Sequence, residues 1–160
     1  MNKLNFFGVG PRIGLVVLPW LAVSVFLSVV FKNRFGFPVD KTNILFIAGL
    51  VILIGGLIFY FLTVPLLLKG LKETKLVTTG AFSLCCNPLY AAIILFIIPG
   101  IALMMNSWLV LSTTIAGYIV FKFYIKGEYE ELERFFGDEY KNYRRKTPEF
   151  FPTGFRFIRR

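Results

Sequence analysis

Few residues in this 160-residue chain can do chemistry. There is no histidine, which excludes imidazole proton transfer, histidine metal ligands and histidine-ligated haem. The two cysteines, Cys85 and Cys86, are adjacent. They are too few for a four-ligand zinc site and too close for an unstrained disulfide, so neither a metal site nor a disulfide scaffold is expected. Carboxylates, amides and phenols remain. Glu128 stands just beyond the last long apolar run, where a carboxylate is either solvated or holds a cationic group. Residues 78–90 precede another apolar run and approach the same edge. Gly80 permits a tight turn there. Asn87-Pro88 suits a helix start, with Asn87 as the cap and Pro88 at the first helical position. A loop with exposed amides beside such a carboxylate can form a polar pocket over an apolar bundle. That geometry suits a polar cofactor from the aqueous side and a lipidic substrate from the bilayer.

The elements that must position these residues follow from composition. The chain is 56% hydrophobic and 17% charged, with 19 Phe, more apolar surface than a soluble fold of this size can hide. The reading is an all-α integral membrane bundle in one domain, residues 1–160. Ile13–Phe31 is 19 residues without a charge, Thr42–Leu68 is 27 and Leu76–Phe121 is 46. A span needs roughly 20 apolar residues, so the longest run holds two helices, with Met105-Asn106-Ser107 as their turn. Four spans are expected, at about residues 12–31, 43–66, 88–105 and 108–125. No small-x-small site follows the first run, which is therefore read as a span and not a cleaved leader. Pro19, Pro65 and Pro99 are expected to kink helices. With four spans, one side carries 15 basic residues, among them Lys69, Lys72 and Lys75, and the other carries Lys32, Arg34 and Lys41. The positive-inside rule then puts both termini in the cytoplasm. The net charge of +9 is explained by anionic lipid headgroups, without nucleic acid.

After residue 125 the composition turns charged. Tyr129, Leu132 and Phe136 recur at helical spacing, and Glu130 and Arg134 form an i,i+4 pair. This predicts an amphipathic cytoplasmic helix ending at Gly137, with Asp138 capping a further short helix that places Tyr140 and Tyr143 on one face.

These residues resemble the isoprenylcysteine carboxyl methyltransferase and phospholipid methyltransferase family. Its pattern L-V-x-x-G-P-[YF]-x-x-x-R-[HN]-P-x-Y is matched by Leu76-Val77, Gly80, Phe82 and Asn87-Pro88-Leu89-Tyr90. After a membrane hairpin comes E-E-x-x-L-x-x-x-F-G-x-x-Y-x-x-Y, matched by Glu128, Leu132, Phe136-Gly137, Tyr140 and Tyr143, with Pro148 following. The resemblance covers about residues 76–152. It implies a methyltransferase using S-adenosylmethionine and acting on a lipophilic or lipid-linked substrate. By the same resemblance, Gly80, Asn87, Pro88, Leu89, Tyr90, Glu128, Tyr140 and Tyr143 form the cofactor pocket. Glu128 would hold the donor's ammonium group, and it is the candidate catalytic base. Tyr140 and Tyr143 would wall the pocket or pack the terminal segment.

Three departures stand out: Cys86 at the motif's Arg position, Tyr129 at its second Glu, and Ala81 in place of Pro. Losing a cation and an anion together is either compensatory or the mark of a member that has lost catalysis. Two alternatives follow, a catalytically silent protein that binds a lipid or partner and a nicotinamide-dependent membrane reductase. A transporter is disfavoured, because the spans hold no charged residue and no repeated half. A short four-span chain points to a bacterial or archaeal plasma membrane. The methyl acceptor and the oligomeric state are not legible.

Overall fold

The computed structural model describes residues 8–38 and 42–153. Lys3, Lys41 and the three arginines after residue 153, counted above for orientation, lie outside them. The described residues are predominantly helical, without strands. In chain order they form α1 (Gly10–Val30), α2 (Lys32–Phe35), α3 (Thr42–Glu73), α4 (Ala81–Leu84), α5 (Pro88–Ala91), α6 (Ile98–Met104), α7 (Trp108–Phe136) and α8 (Asp138–Lys146). A π-helical stretch, Ala92–Ile97, joins α5 to α6, so that Pro88–Met104 is one continuous apolar helix. The π turn runs up to Pro99, which has no N–H to return to the preceding turn. Three helices, α1, α3 and α7, are long and apolar enough to cross a membrane. The Pro88–Met104 helix is shorter, at roughly 25 Å.

The helices pack in the order α3, Pro88–Met104, α7, α1. Among the described residues α1 makes no extensive contact with α3, and this leaves a crevice between them. α3 and α6 approach each other closely. A Cβ on Gly49 would lie 2.7 Å from the Gly100 carbonyl oxygen, and one on Gly100 would lie 2.9 Å from that of Gly49. Lipid tails compete for apolar surface as well as side chains do, so helices in a bilayer gain most from such backbone proximity. At the other end of α7, Ser28 donates to the Ser24 carbonyl oxygen at 2.6 Å and lies 2.7 Å from the Ser107 hydroxyl. Ser107 accepts from the Val110 N–H and so caps α7. Having spent its proton on Ser24, Ser28 must accept from Ser107.

The sequence expectation of helix ends needs three corrections. α3 does not stop near residue 66 but runs on through Pro65 to Glu73. α7 does not stop near 125: no strong breaker follows until Gly137, whose φ of +57° ends the helix. The expected amphipathic helix is thus the continuation of α7, and Tyr129 faces the core. Asp138 does not cap α8. Gly137 occupies the cap position and Asp138 lies in the first turn. The Met105–Ser107 turn is present, with Asn106 at φ +50°, and Glu130 and Arg134 pair at 3.8 Å.

Gly100→Val should therefore force α3 and α6 apart and lower stability by about 1–3 kcal/mol, the usual range for overpacking. A Cβ on Gly55 meets nothing within 4 Å, so Gly55→Ala should be neutral. Thermal melting of the two variants in one detergent checks this.

Candidate functional site

Glu128 lies on α7 one turn beyond buried Ile125 and is half-buried. Its Oε2 accepts from the Val9 backbone N–H at 3.1 Å and from the Tyr90 hydroxyl at 3.2 Å. These donors come from the entrance to α1 and from α5, so one carboxylate oxygen joins three elements. Gly8 lies directly against it: at φ +49°, a Cβ there would sit 2.7 Å from Oε2. Only glycine fits that approach. The entrance to α1 thus reaches the Glu128 carboxylate.

Two cavities meet at this carboxylate, one of about 120 Å³ and one of about 1070 Å³. The smaller runs toward the end of α3, between Gly70, Leu71 and Lys75 on one side and Leu132, Phe136 and Tyr140 on the other. The larger fills the crevice between α1 and α3, along Leu15, Leu18, Ala22, Tyr60 and Ile93. Both share Gly8, Leu67, Phe82, Cys86, Asn87 and Glu128. Glu128 is the only charged side chain in that shared wall among the described residues. A smaller chamber, which also holds Lys75 and Glu131, and a larger, more apolar one thus adjoin across Glu128.

Each residue singled out from sequence has a place. Asn87 precedes Pro88 at the start of α5, but its side chain does not cap the helix. Instead Nδ2 donates to the Tyr129 hydroxyl at 2.6 Å and to the Glu149 carbonyl oxygen at 2.8 Å. With both amide hydrogens spent, the side chain offers a ligand its acceptor Oδ1. Pro88, Leu89 and Tyr90 line the larger cavity. Tyr140 and Tyr143 line the smaller one and are also buried, so they wall a cavity and pack the terminal segment at once. The Tyr143 hydroxyl donates to the Phe82 carbonyl oxygen at 2.6 Å, which holds the 82–86 turn against α8. Burial pushes both phenols up from their ordinary range, so they stay protonated. Gly80 lines neither cavity. At φ +63° it makes the turn into α4 and lies against Leu66.

The resemblance reached the segment after α8 but gave its residues no role in the site. The Pro148 carbonyl oxygen accepts from the Cys86 N–H at 2.8 Å, and the Glu149 carboxylate takes Lys122 and the Tyr129 hydroxyl. Phe150 packs into the core against Tyr118 and Phe121. The Arg144 guanidinium lies 3.9 Å over the Tyr129 ring. Two signals were available: Gly8-x-Gly10-Pro11 at the entrance to α1, and an acid, Glu149, between Pro148 and two phenylalanines.

The cysteine pair is inert by the same geometry. Burial pushes the Cys85 thiol up to about 12 and the Cys86 thiol up to about 11, from an ordinary 9.0. At pH 8 the Cys86 thiolate fraction should be about 100-fold below that of a free thiol, and maleimide labelling of the folded protein correspondingly slow. In denaturant both should label at once. Raised thiol values favour the folded state below about 9, and that contribution disappears as pH rises through about 11 to 12. Alkaline melts should show the loss.

Comparison with known proteins bears on this arrangement. A nickel-cobalt-cadmium resistance protein, NccN of Alcaligenes xylosoxydans xylosoxydans, is 36% identical over 87 residues, which are 54% of this chain and 40% of NccN. The chain thus spans less than half the length of that curated relative. No solved structure matches. The family model for phospholipid methyltransferases matches residues 44–139. That stretch includes the Asn87 turn, the membrane hairpin and Glu128, and leaves out α1, Tyr140 and Tyr143. Since it takes in more than half of the sequence, this chain belongs to the phospholipid methyltransferase family.

Proposed function

We propose that this protein is a membrane methyltransferase that takes its methyl group from S-adenosylmethionine and delivers it to a lipophilic or lipid-linked acceptor. The observation that carries the reading is the Glu128 carboxylate, standing where a smaller chamber, which also holds Lys75 and Glu131, meets a larger and more apolar one. The residues present fit the donor. Glu128 matches its cationic amino-acid end, and Leu132, Phe136 and Tyr140 give an apolar and aromatic wall for its adenine. Asn87 contributes an acceptor beside them. When bound, the donor supplies an electrophilic methyl group for in-line displacement. This chain's own residues hold and orient. Val9 and Tyr90 fix the carboxylate in one rotamer, and the shared wall keeps the two chambers adjoining, so positioning carries the rate. The larger cavity's apolar walls exclude water and suit an alkyl-chain acceptor. Among the described residues that line it, Glu128 is the one acid in reach of an acceptor's proton.

The same reading puts both termini in the cytoplasm of a bacterial or archaeal plasma membrane, supported by the excess of Lys and Arg on one side of the bundle. It includes contact of that basic side with anionic headgroups and gives no role to nucleic acid.

Calorimetric titration of the detergent-purified protein with S-adenosylhomocysteine tests it, with reduced nicotinamide phosphate cofactor as control. Saturable binding of the first alone is expected. Glu128→Gln keeps an acceptor oxygen for Val9 and Tyr90 and removes the charge, so it should fold normally and weaken binding about 10- to 100-fold. Binding of neither compound by folded protein would favour the silent reading, and binding of the nicotinamide alone would favour the reductase. Asn87→Ala is the poorer variant, because it also cuts the tie to Glu149.

A further inference from the structure

The segment after α8 does more than end the chain. Its Glu149 carboxylate is an obligate acceptor. Lys122 holds one oxygen, Oε2, and the other, Oε1, lies 3.2 Å from the Tyr129 hydroxyl. Tyr129 must therefore donate to Glu149. Its oxygen is then left to accept, and it accepts from Asn87 Nδ2 at 2.6 Å. The Glu149 carbonyl, also an acceptor, takes the other Nδ2 hydrogen at 2.8 Å. The carboxylate fixes the polarity of the Tyr129–Asn87 bond and the backbone carbonyl takes the second Nδ2 hydrogen, so that residue 149 holds the Asn87 amide in a single orientation from two sides. A flipped amide would set Oδ1 against the carbonyl oxygen of Glu149, with no proton between them.

We propose that Glu149 is a positioning residue that acts through Tyr129 to fix the Asn87 amide in the wall between the two cavities. It returns from the strap after α8 the carboxylate that position 129 lacks relative to the family motif. Lys122 supplies the balancing cation from α7, so the paired losses at Cys86 and Tyr129 are compensated by a relocated pair. The proposal rests on the cofactor reading above for its effect on binding, but not for the hydrogen-bond chain itself.

The test uses full-length protein labelled with ¹⁵N-asparagine in detergent, with the Asn87 amide signal assigned by its loss in Asn87→Asp. Two variants are compared with wild type, Glu149→Gln and Tyr129→Phe. The first substitution is isosteric, and its new amide can donate to the Tyr129 hydroxyl, which reverses the polarity of that bond and removes the carboxylate's hold on the one to Asn87. The second keeps the ring and removes the link. Slow water exchange of the Asn87 amide protons is expected in wild type. Exchange at least about tenfold faster is expected in each variant, with a loss of S-adenosylhomocysteine affinity of about tenfold, the effect of one hydrogen bond to a charged group. Circular dichroism confirms that each variant is folded. Unchanged exchange in either variant overturns the proposal, as does faster exchange with unchanged affinity. If wild type binds no S-adenosylhomocysteine while its Asn87 amide is protected, the cofactor reading fails and the positioning role falls with it. That outcome is distinct from a binding wild type whose variants behave identically.

Discussion

A half-buried carboxylate with two donors on one oxygen holds the site together. Taking Glu128 partly out of water is costly unless hydrogen bonds replace its solvation. The donors that replace it, the Val9 N–H and the Tyr90 hydroxyl, come from different elements, the entrance of α1 and the start of the Pro88–Met104 helix. The interaction therefore does two things at once. It draws those two elements onto α7, and it leaves a negative charge in the wall where two cavities meet. Gly8 is part of the same constraint, because any larger residue would collide with the carboxylate oxygen.

Around that point the bundle divides its work. α3 and α6 supply rigidity through glycine-mediated contact, and the serine relay at the far end fixes where α7 begins. α1 packs on α7 and stands off from α3, and the crevice that results is the larger cavity. The strap after α8 closes the polar side. Its carbonyls hold Cys86 and Asn87, and Phe150 anchors it in the aromatic core. The loop that carries the motif has little structure of its own, only the short α4, and owes its shape to these ties.

Much of the fold was legible because bilayer physics leaves few options. Long charge-free runs must be helices, since an isolated run has no other way to satisfy its backbone in lipid. Glu128 and Asn87 could be picked out by type and position. Their partners could not. Asn87 reads locally as a helix cap, yet its side chain bonds residues 42 and 62 positions away. Tyr129 reads as a loss relative to the family motif, yet it sits in the core with its hydroxyl between Asn87 and Glu149. Helices outran the apolar runs that announced them: α3 continues through Pro65 to Glu73, and the charged composition after residue 125 does not end α7.

By itself the sequence determined the class of structure, the apolar stretches, the turn at residues 105–107 and the family resemblance of residues 76–152. Each rests on local composition or spacing, which a linear reading carries in full. Only the tertiary structure decided which donors hold Glu128, that α1 helps build the site, that Tyr129 meets Glu149 and Lys122 beyond the motif, and that two cavities share a wall. Those are contacts between residues up to 119 positions apart. They follow from how the helices pack against one another, and no period or motif within one helix encodes that.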